Sequence, residues 1–138
     1  MIAMVADGYL FVDSDTVRPT LAITTTDSYI EGTERTATLT FDFSEDLASG
    51  SFTESDITIT RNTGTPKGTL TNFLASTTDS TVWTATYNAP DGTATDTISV
   101  AADAYTDTHD NAPSNASNVA IGYNLTIPQA TLTASDSS

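Results

Sequence analysis

The sequence contains no cysteine. Disulfides therefore cannot staple the fold, and a thiolate zinc site or a thiol nucleophile is excluded. Basic residues are nearly as scarce: 4 Lys and Arg stand against 18 Asp and Glu, a formal charge of -14 with the single His neutral. Nucleic acid and anionic membrane surfaces are recognised through clusters of Lys and Arg, so neither is expected as a partner. Cations are the natural counterpart. A high acid content also keeps a protein hydrated in salt, and placement separates the two uses: solvating acids scatter over strand faces, whereas ligand acids gather in loops. No apolar run approaches the roughly 20 residues that span a bilayer. Leu, Lys, Gln and Arg are few, while Thr supplies about a fifth of the 138 residues. That balance disfavours helix and favours pleated, half-buried surfaces, so the chain is predicted to be a single all-β domain.

The clearest strand is Arg35 to Phe43. Ala37, Leu39, Phe41 and Phe43 alternate with Thr36, Thr38, Thr40 and Asp42, the period of two that marks a strand with one buried face. It runs directly into Ser44-Glu45-Asp46, so a core strand delivers carboxylates to one end of the domain. Leu21 and Ile23 mark a strand before it, with Tyr29 to Glu34 read as the turn between them. Asp56 to Thr60, Thr69 to Leu74, Trp83 to Tyr87, Ile98 to Val100 and Val119 to Leu125 follow as strands. The turn residues Asn62-Thr63-Gly64-Thr65-Pro66-Lys67-Gly68 and Pro90-Asp91-Gly92 separate them. Trp83, Ala85 and Tyr87 share a face, and Trp83 is the expected anchor of the core. About seven strands at this spacing predict an immunoglobulin-like antiparallel β-sandwich.

The two ends echo the middle. Val5-Ala6-Asp7-Gly8-Tyr9-Leu10-Phe11 parallels Val119-Ala120-Ile121-Gly122-Tyr123-Asn124-Leu125, and Pro19 to Ser28 parallels Pro128 to Ser137. The chain thus reads as the last strand and linker of a preceding repeat (1–16), one immunoglobulin-like repeat (17–127) and the start of a following repeat (128–138). Met4 to Val12 reads as one strand. Lacking its own sheet, it is expected to be disordered or to pair with an edge strand of another copy, so that strand exchange runs through residues 4–11.

Five stretches carry a resemblance: Thr38 to Glu45, Ser51 to Ile57, Gly68 to Asn72, Thr81 to Tyr87 and Tyr105 to Asp107. In this order they resemble the bacterial immunoglobulin-like repeats of giant RTX-type adhesins. The resemblance implies an extracellular, type I secreted module of the bacterial cell surface. Such modules are repeated many times, carry a binding region away from the cell and are stiffened by Ca2+ between neighbouring repeats of the same chain. Thr108-His109-Asp110-Asn111-Ala112-Pro113 departs from the shorter Gly-Asn turn that such repeats often have.

In an immunoglobulin-like sandwich, the loops after the second, fourth and sixth strands share the end where the chain comes in. That end is expected to gather Glu45 and Asp46, then Asp79, then Asp103, Asp107 and Asp110, with Asp13 and Asp15 added by the linker. Carboxylates at such density need raised pKa values or a bound cation. Ca2+ suits them, since it takes six to eight oxygens at flexible angles, and the backbone carbonyls of Tyr105 or Asn111 are available to complete a shell. A second, weaker cluster of Asp27, Glu31, Glu34, Asp91 and Asp96 is expected at the opposite end. No Asp-x-Asp-x-Asp-Gly loop of the EF-hand type occurs.

No enzyme is expected. His109 reads as a solvated loop residue without a nucleophile beside it, and paired carboxylates need a substrate cleft. The alternative to a structural extender is a carbohydrate- or surface-binding module using Thr arrays such as Thr36, Thr38 and Thr40 with Thr58 and Thr60. Exposure of Trp83 or Tyr87 would favour sugar binding, and burial of both would favour the extender.

Overall fold

The computed structural model describes residues 15–62 and 67–126, together with the course of the strands Met4–Ala6 and Tyr9–Phe11. Asp13, most of the expected turn after Asn62 and the repeat echo beyond residue 127 lie outside the described residues.

Ten strands form in chain order: β1 (Met4–Ala6), β2 (Tyr9–Phe11), β3 (Leu21–Thr25), β4 (Tyr29–Glu31), β5 (Thr36–Phe43), β6 (Ile57–Arg61), β7 (Thr69–Ala75), β8 (Val82–Asn88), β9 (Gly92–Val100) and β10 (Ser117–Leu125). Eight of them make two four-stranded sheets in the orders β3-β5-β8-β7 and β4-β10-β9-β6. The result is the immunoglobulin-like β-sandwich expected from the alternation. β5 buries Ala37, Leu39, Phe41 and Phe43 and turns its Thr residues outward. Facing them from the other sheet are Ile59 on β6, Ile98 and Val100 on β9, and Ile121, Tyr123 and Leu125 on β10. Burying each such large side chain contributes about 1.5–3 kcal/mol.

Three expectations need correction. Tyr29–Glu31 is a strand and not part of a turn: β4 pairs in parallel with β10 through Tyr29, Ile30 and Glu31, so the first strand of the sandwich crosses from one sheet to the other. Ile30, fully buried, drives that crossing by giving the short strand an apolar residue to sink between the sheets. Secondly, Met4 to Val12 is not one strand. β1 and β2 pair with each other antiparallel, Ala6 opposite Tyr9, in a sheet of their own. The intervening sequence is Asp7-Gly8, a residue pair that two-residue hairpins favour, and pairing within the segment satisfies its backbone groups. Thirdly, Trp83 is only half-buried, and the fully buried aromatic of β8 is Tyr87.

An aromatic cluster closes the end of the sandwich where residues 15–20 arrive. Phe43, at the end of β5, meets Phe52, Trp83 and Tyr105 edge to face, with ring centroids 4.9, 5.3 and 4.8 Å apart. Each such pair adds about 0.5–1.5 kcal/mol beyond the area buried. Phe52 belongs to the loop after β5 and Tyr105 to the loop after β9, so the cluster fastens two loops to the sheet. Glu45 stands two residues beyond Phe43, and Asp107 two beyond Tyr105.

Candidate metal centre

The loop after β5 and the loop after β9 are zipped together by backbone. Leu47 bridges to Asp107, and the Ala48 N–H donates to the Thr106 carbonyl at 2.9 Å. Ser51 reinforces the seam, its hydroxyl donating to the same carbonyl at 2.9 Å. This pairing turns the Asp107 side chain inward, where it is fully buried.

A buried carboxylate needs donors, and Asp107 has them close at hand. Its Oδ1 accepts the N–H of His109 at 2.7 Å and of Asn111 at 2.9 Å, while Oδ2 accepts the Asn111 side-chain amide at 2.8 Å. The Asp107 N–H in turn donates to the Asn111 carbonyl at 3.0 Å, closing residues 107–111 into a tight loop. Burial works to raise the Asp107 pKa. The bonds from Asn111 and His109 outweigh it, and the carboxyl is held below its ordinary value.

Residues 15–20 dock onto this loop. The Asn111 amide also donates to the Asp15 carbonyl at 3.0 Å, Arg18 donates to the Ala112 carbonyl at 2.7 Å, and Pro19 and Pro113 are fully buried. The Thr20 and Ser44 backbones meet across the β3-β5 edge, with the Ser44 N–H donating to the Thr20 carbonyl at 3.0 Å. Asp15 thereby comes beside His109, with Oδ2 3.2 Å from Nδ1. One donor atom each from Asp15, Asp107 and His109 lies within 4.8 Å of the others.

Glu45 stands beside this group. Its carboxyl meets that of Asp107, and its pKa is raised by burial first, then by the charges of Asp107 and Asp15. Among the described residues no Lys or Arg forms a salt bridge with any of these three acids.

The other residues expected at this end do not join them. Asp46 is exposed and accepts the Ser80 hydroxyl. Asp79 accepts the Thr81 N–H at 3.0 Å and hydroxyl at 2.7 Å, which holds its carboxyl below the usual value and spends it on its own turn. Asp103 and Asp110 are exposed and hold left-handed backbone at φ 68° and 69°, the conformation Asp tolerates in turns. His109, read from sequence as a solvated loop residue, is exposed and also lies beside Asp15. Asn111, expected to offer its backbone carbonyl, uses its side chain to hold two acids in place.

The second cluster is not assembled. Asp91 pairs with Arg35 at 2.5 Å, Asp27 accepts the Tyr29 N–H at 3.0 Å, and Glu31 and Glu34 are exposed. Asp96 lies within the core and not in a loop. There it accepts from Arg61 Nε at 3.1 Å, the Gly68 N–H at 2.6 Å and the Tyr87 hydroxyl at 2.9 Å. Its parity explains this: on β9 it stands at i−2 to Ile98 and i−4 to Val100, both buried.

A family model for a bacterial Ig-like domain matches residues 15–123, most of the chain. The chain belongs to the bacterial Ig-like domain family. No curated protein and no solved structure matches it. Bacterial Ig-like domains often occur in surface proteins and are typically non-enzymatic. Among the described residues of this Ig-like domain, no helix is long and apolar enough to cross a membrane.

Can such a group hold Ca2+? The donor chemistry fits a hard dication: the carboxylates of Asp15, Glu45 and Asp107 come from three separate segments, and among the described residues no Lys or Arg pairs with them. A cation held there would replace the repulsion between Glu45 and Asp107 with a shared attraction, and would join the incoming linker to both loops.

Proposed function

We propose that this Ig-like domain is a structural extender of a large repetitive bacterial surface adhesin, stiffened by Ca2+ where one repeat joins the next. The observation that carries the reading is that Asp15, in the segment entering the domain, is drawn onto the loop that holds Asp107. A cation taken by Asp15, Glu45 and Asp107 removes hinge freedom between the linker and the sandwich, and a string of beads becomes a rod. The resemblance of the sequence to adhesin repeats and the excess of acid support the same reading. So does the full burial of Tyr87, while Trp83, half-buried, packs edge-on against Phe43 and Phe52.

Extracellular modules bind Ca2+ with dissociation constants of about 10⁻⁴–10⁻³ M. At a hundredfold excess over that constant the bound state gains about 2.7 kcal/mol, a large share of the stability of a small domain. In a calcium-poor cytosol the domain would lack that contribution and be looser for export. Thermal melting of the chain with and without Ca2+ tests the reading. A rise in Tm with added Ca2+ that Asp107→Asn removes supports it, and superimposable melts refute it.

A further inference from the structure

The imidazole of His109 is not a ligand that Ca2+ requires. Ca2+ is served by oxygen alone, whereas a nitrogen donor beside carboxylates suits the borderline dications, Zn2+ foremost. From the geometry we propose that Asp15, Asp107 and His109 form a site for a dication of the Zn2+ class, which competes with Ca2+ at the same joint. The inference rests on the reading of this joint as a cation site and differs from it in the cation it names.

The spacing fits. Two ligands held at about 2.0–2.1 Å around a tetrahedral ion stand roughly 3.3 Å apart, and Asp15 Oδ2 lies 3.2 Å from His109 Nδ1. The third donor, on Asp107, lies within 4.8 Å of both, so closing the triangle takes a movement of about 1–2 Å. Two of the three side chains are already held, Asp15 by the Val17 N–H, which donates to its Oδ1 at 2.9 Å, and Asp107 by its own loop. Asp107 is fixed by three hydrogen bonds, and Asn111 holds both Asp107 and the backbone of Asp15, the kind of outer support that orients metal ligands. His109 is tied in as well, since its own N–H donates to the Asp107 carboxylate, so the two ligands share one turn of chain. Glu45 lies against Asp107, outside this trio. The donor set is two carboxylates and one imidazole, drawn from the linker and the loop after β9.

The consequence is a joint that answers to two ions. Ca2+ would stiffen it through oxygen alone, and a Zn2+-class ion would pull His109 inward and hold the 107–111 loop against the linker.

The test uses the full chain, stripped of metal by chelation and titrated separately with ZnCl2 and CaCl2 by calorimetry, with melting curves as a check on folding. We expect one Zn2+ per chain. His109→Ala lowers Zn2+ affinity at least tenfold more than it lowers Ca2+ affinity, whereas Asp107→Asn weakens both. In the Co2+-loaded protein, the visible absorption band of the wild type changes shape in His109→Ala. Absence of Zn2+ binding, or equal effects of His109→Ala on the two ions, overturns the inference and leaves the Ca2+ reading standing. Zn2+ binding through His109 with no response to Ca2+ supports the inference and refutes Ca2+ as the ion of the joint.

Discussion

The carboxyl groups of Glu45 and Asp107 meet, although both are acids and they belong to different loops. Asp107 wins the competition for ionisation because Asn111 and the His109 N–H donate to it. Glu45, with no such donors, is pushed above its ordinary value of 4.5 by burial and by its neighbours. A raised carboxylate pKa means that the folded chain holds more protons than the unfolded one as pH climbs past 4.5. Ionising Glu45 therefore costs stability over that window, and the loss persists at neutral pH.

Replacing Glu45 with Gln removes that cost. Without cation at pH 7, Glu45→Gln is expected to melt above the wild type, with the gap closing as pH is lowered towards 4.5. With saturating Ca2+ the order reverses, because Gln is a poorer ligand. Melting curves at pH 4.5 and pH 7 check both halves. The repulsion from Asp107 and Asp15 acts in full only on the cation-free protein, so an identical gap with and without Ca2+ would contradict the assignment.

Asp96 and Arg61 form a buried ion pair outside the joint. Arg61 reaches Asp96 Oδ1 at 3.1 Å and lies over the Tyr123 ring at 5.1 Å, its side chain nearly buried. Removing one partner leaves an unpaired charge in the core, at a cost of about 3–5 kcal/mol. Asp96→Ala should show a loss of that size in denaturant unfolding. Exchanging both residues for apolar side chains of similar volume, Asp96→Leu with Arg61→Met, should restore most of it. An Asp96→Ala loss below about 1 kcal/mol would contradict a buried ionic role.

Alkaline stability depends on Tyr105. Burial pushes its phenol up to about 12, against 10 in an exposed tyrosine. The folded chain thus keeps a proton that the unfolded chain gives up, and stability falls as pH rises from about 10 to 12. Tyr105→Phe should flatten that decline while costing less than about 1.5 kcal/mol at neutral pH, since the ring and its contacts with Phe43 and Phe52 persist. Tyrosinate absorbance during the titration provides the check. Ionisation of Tyr105 near pH 10 in the folded domain would contradict its burial.

The strands were legible where alternation ran long enough to fix a face. β5 shows it over eight residues, and its neighbour β8 and the facing strands β9 and β10 follow the same parity. β4 was not legible: three residues with one buried side chain give no period, and their pairing is with a strand some ninety residues away. Asp96 was visible in parity yet misplaced, because it was grouped with Asp27, Glu31, Glu34 and Asp91 at the far end and its partner Arg61 lies on another strand. At the joint, the sequence named Asp15, Glu45 and Asp107 as acids near one end. It did not separate them from Asp46, Asp103 and Asp110, because loops have no periodicity and the difference rests on the bridge between Leu47 and Asp107. His109 and Asn111 were missed as side chains for the same reason. A closely spaced Asp-x-His-x-Asn run was the available signal.

Small-angle scattering of a protein with two tandem copies of this domain, recorded with excess chelator and then with millimolar Ca2+, tests the central claim most directly. A Ca2+-locked joint predicts a broad distribution of lengths in chelator that sharpens to one extended length with Ca2+, and Asp15→Asn together with Asp107→Asn abolishes the change. Identical profiles in the two conditions would contradict it.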